Sequence, residues 1–220
     1  QKEQILRRNN VFMKKDLPMY LEKFGLDAII ITGMSSHNPS MNYFTGSHMF
    51  TKAYIVVTRN QDPLLFYRTM KRDTAEKTGM KRIAIDELPN GDFVRTDGTT
   101  VKNGEVVTLR RILEAVGLNG GTVAFSGRVE FGAFLDVADA FRAAFPEFTV
   151  VGGKGDEAIF AARYTKDADE LSAIKAMGEV VTGIVGEVRD YLLSCRVKDG
   201  MVVTPAGEPV LIGDVKQMIN

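Results

Sequence analysis

The spacing of hydrophobic residues changes several times along this chain, and each change predicts an element. Ile5, Leu6, Phe12, Met13, Leu17, Leu21 and Phe24 recur at three- to four-residue intervals, which predicts an amphipathic helix or helix pair with a kink or fresh start at Pro18. Gly25 is placed to end it. Residues 28–32, Ala-Ile-Ile-Ile-Thr, then form a continuous β-branched run of the kind a strand buried on both faces requires. Residues 54–58 and 64–67 predict two further strands, joined as an antiparallel hairpin by the turn-forming Asn60, Gln61, Asp62 and Pro63.

Helical spacing returns over residues 69–79, and a short strand follows at 82–86 before Pro89, Asn90 and Gly91 break the pattern. Val106, Val107, Ile112, Leu113 and Val116 predict a helix that stops at Gly117, and residues 122–125 a strand. A helix over 129–145, closed by Pro146, leads to a strand at 148–151. Helices alternating with short strands imply an α/β domain, a mixed β-sheet flanked by helices. At Asp167 the run Asp167, Ala168, Asp169, Glu170 has capping-box spacing, and Leu171, Ile174, Val181, Ile184, Val188 and Leu192 continue one apolar face of a long helix to about Cys195. The residues after it are too few for an independent domain and are expected to open something larger. The organisation predicted is a domain over residues 1–160, then a linker helix and the start of a second domain over 161–220.

Composition narrows the function classes. Of 220 residues 45% are hydrophobic, and Lys+Arg and Asp+Glu are both 28, with no basic stripe to neutralise a phosphate backbone, so nucleic acid is not an expected partner. No apolar run approaches the ~20 residues that cross a bilayer, and residues 1–4 have no signal-peptide pattern. The single cysteine, Cys195, has no internal disulfide partner and fits a reducing compartment, so a cytoplasmic protein is expected.

The search for chemistry returns mostly exclusions. A water-activating metal needs several converging ligands, yet the only histidines are His37 and His48, flanking one predicted loop. No catalytic or metal-ligating set is predicted. The glycines around Lys154 fail the P-loop requirement, because Gly155 stands where Ser or Thr is needed, and read as a flexible connection. Residues 33–36 lack the later glycines of a dinucleotide fingerprint. Acidic residues at 156–157 and 167–170 are expected to serve helix starts, and Cys195 to lie in a buried helix. The segment from His37 to Gly46 is the most informative, a restricted loop at a strand's carboxyl end, although Tyr43 and Phe44 serve equally well as core anchors.

Two ordered motifs carry a resemblance. Gly-Leu-Asp-Ala-Ile-Ile-Ile-Thr at 25–32 with Asn-Tyr-Phe-Thr-Gly at 42–46, and downstream Arg-Tyr-Thr-Lys-Asp at 163–167 with Glu170, Leu171, Ile174 and Lys175, are similar to the amino-terminal domain of the creatinase/prolidase/aminopeptidase P family. The resemblance implies a ribonuclease H-like α/β domain that supports homodimerisation. It also implies a following pita-bread catalytic domain with a divalent metal pair (Mn, Co or Zn) acting on a peptide or small amide substrate. In some members the segment after the Tyr-Phe-Thr-Gly motif reaches the partner's active site. Transferred residue by residue, that makes Asn42, Tyr43, His48, Phe50 and Lys52 the candidate substrate-binding residues of the full enzyme. The expected function is the non-catalytic domain of such a peptidase, inactive by itself because its catalytic domain lies beyond this chain; the alternative is a stand-alone binding module. A nuclease is disfavoured, because the predicted strands carry almost no carboxylates.

Overall fold

The structure, a computed structural model, describes residues 16–95 and 97–219. The predicted helical positions from Ile5 to Met13 lie outside the described residues. Among those described, one compact unit runs to Thr165 and a second starts at Lys166.

The first unit comprises α1 (Leu17–Lys23), β1 (Ala28–Gly33), α2 (Pro39–Thr45), β2 (Ala53–Thr58), β3 (Leu64–Tyr67), a 3₁₀ turn (Thr69–Lys71) leading into α3 (Arg72–Lys77), β4 (Lys81–Ala84), α4 (Gly104–Ala115), β5 (Gly121–Arg128), α5 (Phe131–Ala144), β6 (Phe148–Val151) and α6 (Lys154–Tyr164). Its strands form one sheet in the order β4-β3-β2-β1-β5-β6. The β1/β2 and β2/β3 pairs are antiparallel, whereas β1/β5, β5/β6 and β3/β4 are parallel. The sheet is mixed, as its sequence pattern implies.

Period-two alternation assigns each strand residue to one of two cores. Ile29, Ile31, Ile55, Val57, Leu65 and Ala124 pack with Leu17 and Leu21 of α1, Met41 and Phe44 of α2, Ala75 of α3 and Ile159 of α6. Ile30, Val56, Phe66, Val123 and Phe125 point the other way, onto Val106, Leu109, Ile112 and Leu113 of α4 and Phe141 of α5. Layers on both faces explain the unbroken isoleucine run of β1. Ile29, Ile30 and Ile31 are all fully buried, and each such side chain is worth about 1.5–3 kcal/mol of transfer free energy. On the α4/α5 side Arg110 lies against the rings of Phe93, Phe145 and Phe148 at 5.8, 5.2 and 5.2 Å, and its guanidinium pairs with Glu114 and Glu147.

Four expectations are corrected. Residues 39–45 are helical rather than loop, because Asn38 caps the turn and Pro39 sits in its first turn with φ already suited to a helix. The glycines before α6 are not a flexible connection. A Cβ on Gly155 would stand 3.0 Å from the Ala124 Cβ and 3.1 Å from the Phe125 carbonyl oxygen, so this glycine lets the helix lie close on the sheet. The strand predicted at 82–86 stops at Ala84, since the Asp86 carboxylate accepts from the Thr69 amide and hydroxyl at 3.2 and 2.7 Å and holds a 3₁₀ turn over Ile85–Glu87. Cys195 is the half-buried residue that ends a helix, not one inside it.

The second unit contains α7 (Ala168–Ser194), β7 (Arg196–Lys198), β8 (Met201–Val203) and α8 (Ile212–Ile219). The predicted capping box is formed. The Glu170 amide donates to the Asp167 carboxylate at 2.8 Å, and the Asp167 amide to the Glu170 carboxylate at 3.0 Å. β7 and β8 are an antiparallel hairpin turned by Asp199 and Gly200, both at positive φ (49° and 77°).

Candidate functional site

The carboxyl ends of the parallel pair β1 and β5 organise the surroundings. Thr32 pairs with Gly127, and Gly33 with Arg128. Both glycines have positive φ, +108° and +118°, and lie too close to the opposite strand for any side chain. Beyond β1 the chain is clamped by Asn38, which is fully buried. Its amide donates to the Thr32 and Met34 carbonyl oxygens at 3.1 and 3.0 Å, and its side-chain oxygen accepts from the Met41 amide at 3.2 Å. One side chain thus ties the end of β1 to the start of α2. Ser35 ties the same region to the segment before β2, since its hydroxyl accepts from the Phe50 amide at 2.7 Å while its amide donates to the Phe50 carbonyl at 3.0 Å.

These restraints separate the five sequence-predicted binding residues. Asn42 is exposed on α2. Tyr43 is half-buried beside it, edge-on to Phe44 at 5.1 Å and with the Arg163 guanidinium over its ring at 5.9 Å. His48 is half-buried and His37 exposed, and neither side chain makes a hydrogen bond among the described residues. Phe50 is 1% exposed and belongs to the core, so its ring anchors the segment instead of offering a surface to a ligand. Lys52 is the one that reaches a cleft.

That cleft has a volume of about 580 Å³ and opens between the end of β1, the segment before β2, and the starts of α4 and α5. Lys52 donates to the Glu105 carboxylate at 2.5 Å, and the Tyr54 hydroxyl donates to its other oxygen at 2.5 Å. Burial first, then the hydrogen bond and negative charge of Glu105, pushes the Tyr54 phenol well above its ordinary value, so this hydroxyl stays a donor. Met34, Val129, Phe134 and Val137 give the cleft an apolar wall, and Arg128 stands at its mouth. Arg128 also borders a second cavity of about 260 Å³ lined by Asn38, Asp156 and Arg163, where Asp156 accepts from the Ser126 hydroxyl at 2.6 Å. Among the described residues no group of three or more His, Cys, Asp or Glu is placed to hold a metal ion, and no helix is long and apolar enough to cross a membrane.

Residues 15–158 match the sequence profile described as the creatinase/prolidase N-terminal domain. The chain belongs to this family. The creatinase/prolidase fold recurs in solved structures. An X-Pro aminopeptidase from Thermotoga maritima MSB8 aligns with a TM-score of 0.53 and 19% identity over 80% of this chain and 42% of its own. The dipeptidase PepE from Mycobacterium ulcerans gives 0.51 and 16% over 94% and 47%, and a dipeptidase from Pyrococcus horikoshii OT3 gives 0.50 and 16% over 81% and 44%. This creatinase/prolidase domain chain therefore spans less than half the length of each of these three proteins. A comparison with curated proteins found no match.

Within this creatinase/prolidase domain the sequence pattern did not point to Glu105, Tyr54 or Arg128. Glu105 and Tyr54 meet across 51 positions, a contact no local spacing signals. Arg128 was missed because Ser126 and Gly127 look like turn residues, whereas β5 continues through both. A signal existed in the matching end of β1, where Gly33 likewise follows an apolar run.

Proposed function

We propose that this chain is the amino-terminal, substrate-side domain of a Xaa-Pro aminopeptidase- or prolidase-like metallopeptidase. The match of residues 15–158 to a domain named for its N-terminal place in such proteins carries the reading. The solved relatives, named as dipeptidases and an X-Pro aminopeptidase and each more than twice as long as the aligned portion, support it. In this reading residues 161–220 are the linker helix and the start of the next domain, which brings the divalent metal pair (Mn, Co or Zn) and the hydrolytic chemistry. The apolar row on α7 fits that placement: Leu171, Ile174, Met177, Val181 and Val185 are each about half exposed, as on a helix face that a larger domain covers.

The domain's own task is then to support a homodimer and to present residues 42–52 to a peptide or small amide substrate. Asn42 offers an amide, Tyr43 and His48 ring surfaces, and Lys52 a cation that a substrate carboxylate takes over from Glu105, with Phe50 holding the segment in place. A reducing, cytoplasmic setting fits the lone Cys195. The direct test is to express the gene's whole reading frame, determine its molecular mass in solution, and assay Xaa-Pro peptides with Mn²⁺, Co²⁺ or Zn²⁺. A dimer that hydrolyses them is expected, whereas the 220-residue chain alone gives no turnover. A stand-alone binding module is the second reading, favoured by the cleft that the domain contains within itself. A reading frame that stops at Asn220 selects it.

A further inference from the structure

Arg128 ends β5 with its side chain exposed, and among the described residues it makes no hydrogen bond or ion pair. An unpaired surface arginine is ordinary. This one is not, because it borders an apolar-walled cleft of about 580 Å³, within the size range of small-molecule sites, about 300–1,000 Å³. The other cation of the cleft, Lys52, is already matched by Glu105 at 2.5 Å. Arg128 is thus the cation of the cleft without an ion-pair partner among the described residues. Three residues later α5 begins, and its N-cap residue, Glu130, makes no side-chain cap bond. The first-turn amides of this 14-residue helix are left facing outward without a partner of that kind, at the positive end of its dipole. Ala133, in that first turn, lines the same cleft.

We propose that the cleft binds a small molecule joining a carboxylate to an apolar body. The guanidinium of Arg128 and the first turn of α5 take the carboxylate, a pairing in which both donors are positively polarised and the guanidinium can bind both oxygens. The apolar body lies against Met34, Val129, Phe134 and Val137. Glu130, which also borders the cleft and has no ion-pair partner among the described residues, offers a place for an ammonium. Free apolar amino acids and carboxylic acids without an amine share the recognised chemistry. The inference needs neither a further domain nor a second subunit, so its failure leaves the peptidase reading untouched.

The test titrates the ¹⁵N-labelled 220-residue chain with 3-phenylpropionate, phenylalanine and 3-phenylpropionamide, following amide shifts by NMR and affinity by calorimetry. The two acids are expected to give saturable shifts at Met34, Val129 and Phe134, and the uncharged amide to bind at least tenfold more weakly. Phenylalanine binding tighter than 3-phenylpropionate identifies amino acids as the source; the reverse order identifies acids lacking the amine. Arg128→Ala, at an exposed position, should keep the wild-type melting temperature and weaken both acids at least tenfold, with Arg128→Lys in between. Ala133→Leu, on an exposed helix position, should block the cleft and weaken them similarly. Shifts that do not saturate, an amide that binds as well as the acid, or undiminished binding by Arg128→Ala would each overturn the proposal.

Discussion

Gly33 and Gly127 keep side chains out of each other's strand. A Cβ on Gly33 would fall 2.0 Å from the Arg128 carbonyl oxygen, and one on Gly127 would fall 2.1 Å from that of Thr32. The relationship is reciprocal because the two strands are parallel, with Thr32 opposite Gly127 and Gly33 opposite Arg128. Alanine at either place must force the strands apart and also adopt a backbone angle that L residues rarely take. We expect Gly33→Ala and Gly127→Ala each to lower unfolding free energy by about 2–4 kcal/mol in urea titrations. The double variant should lose less than the sum, since both force the same pair of strands apart. A loss under about 1 kcal/mol would contradict the packing.

Asn38 acts at both ends of its amide, and the two halves can be separated. Asn38→Ala removes a cap and leaves two carbonyl oxygens without their buried donor, for an expected loss of about 2–3 kcal/mol. Asp keeps the cap acceptor but turns a carboxylate toward the Thr32 and Met34 carbonyls, which are 3.1 and 3.0 Å from the present amide nitrogen. Asn38→Asp should therefore be no more stable than Asn38→Ala at neutral pH. If capping alone mattered, urea titration would find Asp close to wild type.

Tyr54 links stability to alkaline pH. Its folded-state pKa lies above the unfolded value of about 10, so from pH 10 upward the unfolded chain releases a proton that the folded chain keeps. The stabilisation is full below pH 10 and falls as pH rises, by up to about 1.4 kcal/mol per pH unit. Melting curves should lose temperature more steeply between pH 10 and 11.5 for wild type than for Tyr54→Phe. Equal slopes would show that the phenol is not held protonated by burial and Glu105.

The guanidinium of Arg110, whose side chain is only 12% exposed, sits among three rings and has two carboxylate partners. Truncation to alanine should cost about 2–3 kcal/mol through lost stacking and the two unpaired acids. Lysine retains the charge but not the planar face, so Arg110→Lys should recover less than half of that loss in thermal unfolding.

The strands were legible wherever burial on both faces leaves an unbroken apolar run, as at Ile29–Ile30–Ile31, or where a turn sits between two such runs, as at Asn60–Pro63. The family was legible too, from the motif at residues 25–46, which lies inside the matched stretch of residues 15–158. The helix at residues 39–45 was not, although its cap stood in plain order, Asn38 before Pro39; the glycine and aromatic residues after it looked like loop. The β7–β8 hairpin was marked only by the turn pair Asp199–Gly200, since Arg196 and Lys198 leave β7 without an apolar run. The cleft is a different case. Gly33, Lys52, Glu105 and Arg128 are brought together by the parallel pairing of β1 with β5 and by the approach of α4, and no spacing within one segment encodes such contacts. The burial of Phe50, a candidate binding residue, was not legible for a related reason: its ring lies in the core where its amide donates to Ser35, 15 positions away.

The most direct measurement of the central claim is steady-state hydrolysis of an Xaa-Pro dipeptide by the whole gene product loaded with Mn²⁺, comparing wild type with Lys52→Ala. If residues 42–52 serve the substrate side, the wild type turns over and Lys52→Ala raises KM about tenfold or more with kcat within about threefold, the mark of lost binding to ground and transition state alike. Absence of hydrolysis by the dimeric, metal-loaded wild type, or an unchanged KM in Lys52→Ala, would contradict it.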